Sequence, residues 1–100
     1  MSIKKGSKLH VRVDYRTGEE KITNKDITDH LAYVENAAKE RYFVGGGFSN
    51  TDGGMCLFEA KDSKDAQKFA ENDPLVERGF YRYELFVWDI MVLSEDIAHS

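Results

Sequence analysis

Residues 42–60, YFVGGGFSNTDGGMCLFEA, carry the fold decision. Tyr42-Phe43-Val44 is a short aromatic and β-branched run that ends in Gly45-Gly46-Gly47, and Met55 to Ala60 resumes as a strand. Between them Asn50, Asp52, Gly53 and Gly54 supply the residues of a turn, so the two runs read as a hairpin. Working outward, a helix precedes the hairpin and another follows it. Upstream, Ile27, Leu31, Val34, Ala38 and Arg41 fall in a narrow arc at about 100° per residue, which predicts a helix from about Asp26 to Arg41. Asp26 or Thr28 is placed to cap its start. Downstream, Asp62-Ser63 opens a second helix that runs to about Asn72 and buries Ala66, Phe69 and Ala70. Asp73-Pro74 ends it, because the residue before a proline is pushed out of the helical region.

The outermost segments are strands. From Leu9 to Arg16 the chain alternates, with Leu9, Val11, Val13 and Tyr15 on one side and His10, Arg12, Asp14 and Arg16 on the other. Polar Thr17 to Lys25, which contains Gly18, is a loop. Phe80 to Leu93 is a long aromatic strand with large apolar groups on both faces, so both faces are expected to be covered. The element order is β-α-β-β-α-β. That is an α+β, ferredoxin-like arrangement with a four-stranded antiparallel sheet and two helices on one face. The chain has no spare element for the other face, so a second copy is the economical cover and a homodimer with facing sheets is expected.

Composition sets the class. One hundred residues make one domain, with a core from about 9 to 92 and flexible tails expected outside it. With 41% apolar and 32% charged residues the chain reads as an ordinary globular protein, and eighteen acidic against fourteen basic residues give a charge of −4. That balance argues against nucleic-acid binding, which shows as a basic excess or face. The single cysteine, Cys56, excludes an internal disulfide framework and fits a reducing cytoplasm. No apolar run approaches the roughly 18 residues of a membrane span, and no apolar stretch of a signal peptide follows Lys4-Lys5.

Few residues suggest chemistry. His10, His30 and His99 lack metal-ligand spacing, so neither a metal nor any other cofactor is expected. The glycines at 45–47 lack the Lys-Ser/Thr of a phosphate loop and precede a strand rather than a helix. They either let backbones approach closely or leave room for a ligand. Cys56 has no cationic neighbour in the sequence and reads as an inert buried thiol. His30 flanks the apolar stripe of the first helix, a satisfied boundary histidine unless a second polar group reaches it. Asp73, which ends the second helix over the same face of the sheet, is such a group.

Together, His30-Leu31-Ala32-Tyr33-Val34, Val44-Gly45-Gly46-Gly47, Asp52-Gly53-Gly54 and Ala70-Glu71-Asn72-Asp73-Pro74-Leu75-Val76 with Gly79 resemble, in order and spacing, the YciI-like family. The closing strand Tyr83-Glu84-Leu85-Phe86-Val87-Trp88 resembles that family's as well. The resemblance implies a ferredoxin-like fold assembled as a dimeric α/β barrel. It also implies that His30 and Asp73 form a catalytic or ligand-binding pair in a small cleft. Related members include a dehydrochlorinase acting on a chlorinated hydroxyquinol, and the wider superfamily includes muconolactone isomerases. Where many members carry an arginine three residues before the histidine, this chain has Ile27; the usual Gly-Gly-Pro is Gly45-Gly46-Gly47, and Leu75 replaces an often aromatic residue. Arg12 is a candidate substitute for the missing cation. The resulting expectation is a lyase or isomerase in which His30 moves a proton and Asp73 orients it. Arg12, Gly45 and Gly46 would border a small cyclic or aromatic-derived ligand, with aromatics such as Tyr42 or Tyr83 lining the cleft. The rival expectation is a non-catalytic dimeric binding module on the same fold.

Overall fold

The computed structural model describes residues 5–94. Its elements are β1 (Lys8–Arg16), α1 (Asn24–Glu40), β2 (Phe43–Gly47), β3 (Gly54–Phe58), α2 (Ser63–Glu71), α3 (Pro74–Glu77) and β4 (Tyr81–Asp89). The four strands form one antiparallel sheet in the order β2-β3-β1-β4. With α1 and α2 packed on one face, this is the ferredoxin-like arrangement.

Local chemistry sets the boundaries, and in places it overrides the sequence reading. Thr23, rather than Asp26 or Thr28, caps α1: its hydroxyl accepts from the Asp26 N–H while the Asp26 carboxylate accepts from the Thr23 N–H. This reciprocal capping box satisfies two otherwise orphaned donors and starts the helix two residues earlier. Strand β2 continues through the three glycines instead of stopping at them. Asp73-Pro74 does end α2, but it also begins the single-turn α3, with Asp73 as its cap and Pro74 at the first helical position. A proline suits that position because its missing N–H would have no intrahelical partner there. Three helices, not two, therefore cover the sheet. Strand β4 ends at Asp89, so Met91 to Leu93 lie beyond it and are exposed.

Strand register decides which face meets the helices. Arg12 pairs with Cys56 and Leu85, and His10 pairs with Phe58. Cys56 and Phe58 belong to the core with Ala66 and Phe69, against which Tyr33, Val34, Ala37, Phe43 and Leu85 pack. The polar side of β1 thus lies beneath the helices, and Leu9, Val11, Val13 and Tyr15 face the other way. Phe69 anchors the core, stacked on Tyr33 at 5.4 Å, edge-on to Phe43 at 6.0 Å and tilted on Phe58 at 4.8 Å between centroids. Burying such a ring stabilises by about 2–3 kcal/mol.

The stripe of α1 is rotated from the expected one. Tyr33, Val34 and Ala37 pack on the core, whereas Ile27, Leu31 and Ala38 are exposed. Ile27 and Leu31 are exposed because they overhang a cavity between α1 and the sheet. On the opposite sheet face Leu9 is buried, but Phe86 and Trp88 are 50% and 48% exposed, so a single chain leaves much of that face uncovered. Among the described residues no helix is long and apolar enough to cross a membrane.

Candidate functional site

The site is built around Arg12, which points inward from β1 and is 2% exposed. Its Nε donates to Asp14 Oδ1 at 2.7 Å, since residues two apart on a strand share a face. Its Nη2 donates to Asp73 Oδ2 at 2.8 Å. Asp73 is fully buried, and Pro74 holds it in extended backbone (φ −65°, ψ 127°). Its Oδ1 accepts from the Leu75 N–H at 3.0 Å, capping α3, and lies 2.8 Å from His30 Nδ1. His30 is 24% exposed on its side chain and comes from the second turn of α1. Arg78, just after α3, donates to Asp26 at 2.9 Å and to Asp29 at 2.7 Å. That clasp ties α1 to α3 next to His30. Exposed pairs of this kind stabilise little, about 0–1 kcal/mol, so its service is register more than stability.

These groups line a cavity of about 310 Å³. Its polar wall is Arg12, Asp14, His30 and Asp73; apolar side chains such as Ile27, Leu31, Phe43, Leu75 and Tyr81 form the rest. Gly45 and Gly46 both border it, but differently. A Cβ on Gly45 would meet the Cys56 Cβ at 2.8 Å and the Phe43 ring at 3.0 Å, so close packing alone demands glycine there. At Gly46 a Cβ has open room. Cys56 also borders the cavity; burial pushes its thiol up to about 12, which keeps it protonated and inert.

The residue pattern here is shared with known proteins. The family model described as the YCII-related domain matches residues 9–89. The chain belongs to the YCII-related family. No curated protein matches its sequence. Among solved structures, this YCII-related domain is similar to the 5-chloro-2-hydroxyhydroquinone dehydrochlorinase of Burkholderia phenoliruptrix AC1100, in complex with 2,5-dihydroxybenzoquinone. The two share 20% identity over 94% of this chain and 96% of the other, with a TM-score of 0.59. At that identity the likeness shows the fold.

In the YCII-related domain the sequence-predicted His30, Asp73, Arg12, Gly45 and Gly46 all lie at one cavity. Tyr42 and Tyr83 do not line it; Tyr83 instead donates to Glu71 at 3.2 Å, and Tyr81 takes the wall position. Asp14 is the polar group the sequence reading left unassigned, although the alternation Arg12-Val13-Asp14 places opposite charges on one face of β1. Burial pushes the Asp73 carboxyl up, but the His30 hydrogen bond and the Arg12 charge outweigh it and leave it below the usual carboxylate range. Asp14 is the reverse case: burial wins over Arg12, and its carboxyl is raised. Among the described residues no cluster of three or more His, Cys, Asp or Glu side chains could hold a metal.

With Asp73 ionised, Nδ1 of a neutral His30 carries the proton and donates it to the carboxylate. That fixes the tautomer, leaving Nε2 with its lone pair free. Nε2 has no hydrogen-bond partner among the described residues. The arrangement holds an imidazole in one orientation beside a small, mostly apolar cavity.

Proposed function

We propose that this chain is a small-molecule enzyme of the lyase or isomerase type. In it, Nε2 of His30 takes a proton from a small cyclic or aromatic-derived substrate, and Asp73 holds the imidazole in the basic tautomer and balances the imidazolium that forms. The observation that carries this reading is the 2.8 Å contact from His30 Nδ1 to the fully buried Asp73, at the wall of a cavity large enough for one ring. Supporting it, the similar dehydrochlorinase holds a dihydroxybenzoquinone, a single ring. Gly45 and Gly46 give the ring a floor of bare backbone.

The test is turnover of hydroxylated single rings, beginning with 5-chloro-2-hydroxyhydroquinone and measuring chloride release. His30→Gln is expected to slow the reaction by about a hundredfold or more while the fold is kept, because an oriented general base contributes on that scale. Equal rates in wild type and variant overturn the assignment. Ring binding without turnover across a panel of hydroxyquinols, quinones and lactones favours the binding-module reading.

We also propose that the chain works as a homodimer through the sheet face opposite the helices. The row Val44, Leu57, Val11, Phe86 crosses all four strands, and the half-exposed Trp88 extends it. Glu84 beside Val13 and Arg82 beside Tyr15 make the other end polar. An uncovered apolar face of this kind marks an association surface. Wild-type protein is expected to sediment as a dimer. Phe86→Asp is expected to sediment as a monomer with unchanged far-ultraviolet circular dichroism. A monomeric wild type overturns the proposal.

A further inference from the structure

Of the two carboxylates that Arg12 holds, only Asp14 still meets the cavity. It lines that space from β1, on the sheet side, and its side chain is 16% exposed, while Asp73 is closed off completely. Arg12 Nε donates to its Oδ1 at 2.7 Å, which leaves Oδ2 without a hydrogen-bond partner among the described residues. Oδ2 is not enclosed either: the fully enclosed side-chain polar atom without a partner is Arg12 Nη1. His30 reaches the same cavity from α1, on the opposite wall, with its side chain 24% exposed. A group able to carry a proton therefore stands on each side of the space a ring would fill.

The surroundings prepare the two carboxyls differently. The charged groups facing Asp14 are Arg12 on its own strand, Asp73 at the start of α3 and His30 on α1. The Cys56 thiol of β3 and the Tyr81 phenol of β4 also lie near it, and burial pushes both up, so they stay uncharged. Burial, with the Asp73 charge added, outweighs Arg12 and leaves the Asp14 carboxyl raised, whereas Asp73 is lowered. Titratable groups whose surroundings drive them apart in this way mark separate acid and base duties. A ring seated in the cavity displaces water from Asp14 and pushes it further toward its protonated form. Asp73 stays ionised and keeps His30 basic.

We infer that Asp14 is a second catalytic residue, the acid that hands a proton to the substrate from the sheet side while His30 takes one from the helix side. The inference rests on the proton-transfer reading and narrows it to an isomerase, because a double-bond shift needs a proton donor as well as an acceptor. In that step a C–H bond breaks and its proton goes to His30 Nε2. The electron pair left behind forms a double bond to the neighbouring carbon. The existing double bond opens, and its far carbon forms a bond to the proton of Asp14. The step leaves the shifted alkene, an imidazolium and a carboxylate. The imidazolium then gives its proton to water and Asp14 takes one back, since both side chains reach solvent, so no proton is gained or lost over the cycle.

The experiment follows α-angelica lactone, a small ring whose double bond shifts when C3 loses a proton and C5 gains one, by NMR in deuterated water. With the wild-type protein, C3 is expected to exchange and the product to carry solvent deuterium at C5, because the proton removed and the proton delivered sit on different residues. Asp14→Asn keeps an oxygen for Arg12 Nε but has no proton to give. It is expected to exchange C3 still, through His30, while isomerising about a hundredfold more slowly, the scale of a lost general acid. His30→Gln is expected to lose both. Protium carried from C3 to C5 by the wild type, exchange without isomerisation in the wild type, or isomerisation at the wild-type rate by Asp14→Asn overturns the inference and leaves proton transfer by His30 standing. Loss of exchange together with isomerisation in a folded Asp14→Asn makes Asp14 a positioning residue and also overturns it; if that variant does not fold, the label at C5 in the wild-type product decides. No C3 exchange above the buffer rate in the wild type overturns the proton-transfer reading itself, and the inference with it.

Discussion

Asp73→Ala is expected to destabilise the protein by about 3–5 kcal/mol, the cost typical of removing one partner from a buried ion pair. The carboxylate is fully enclosed and serves three donors: Arg12 Nη2, His30 Nδ1 and the Leu75 N–H. Loss of the cap on α3 alone costs about 1 kcal/mol. The larger share comes from Arg12, which would keep only its bond to Asp14 and leave both terminal nitrogens buried without acceptors. Asp73→Asn separates these parts, because an amide oxygen can still accept from Leu75 while the charge is gone. It is expected to fall between wild type and alanine. Urea unfolding of the three proteins gives the measurement, and a loss below about 1 kcal/mol for the alanine variant overturns the account.

The same carboxyl sets the acid limb of stability. Its folded-state value lies below that of the unfolded chain, about 3.9. Its contribution is therefore complete above that value and is lost as pH falls through the lower, folded one. Asp14 works in the opposite direction. Its folded value is raised, so its contribution is present below about 3.9 and is lost as pH rises through the folded value. Asp73 is thus the group whose protonation weakens the acidified protein, and Asp14 tempers its stability on the neutral side.

How far this was legible in the sequence depends on the range of each interaction. Element order followed from periodicity and turn residues, which are local. His30 and Asp73 could be named because a helix flank and a helix end on the same sheet face are topological facts. The orientation of β1 was not legible. Its apolar side looks like a core side, yet the register places Arg12 opposite Cys56 and Leu85 beneath the helices. A buried arginine is readable only once its carboxylates are known, and one of them stands 61 residues away. Ile27 and Leu31 misled for a related reason. They are apolar and helically spaced, but they border a cavity instead of the packed core. Thr23 is a simpler case: the capping box Thr23–Asp26 uses Asp where Glu or Gln is more usual at that position.

Arg12→Met tests the centre of this arrangement, and it too is expected to cost about 3–5 kcal/mol at neutral pH. Methionine nearly matches the buried stem, so most of the loss comes from Asp14 and Asp73, left in one enclosed site without a cation. That origin predicts a signature in pH. With the guanidinium gone, both carboxyls take folded-state values above those of the unfolded chain, and the variant loses stability as pH rises through them. The gap from wild type is therefore expected to close as pH is lowered toward about 4, near the unfolded-chain value. Asp14→Asn in the Arg12→Met background is expected to recover about 1 kcal/mol or more at neutral pH, a coupling that contacting charged groups show in double-mutant cycles. A competing cause is lost packing, because the Arg12 guanidinium also lies 5.7 Å from the centre of the Phe69 ring. Lost packing does not titrate. A penalty that stays constant with pH and is untouched by Asp14→Asn assigns Arg12 to the core; a penalty that fades in acid assigns it to the two carboxylates.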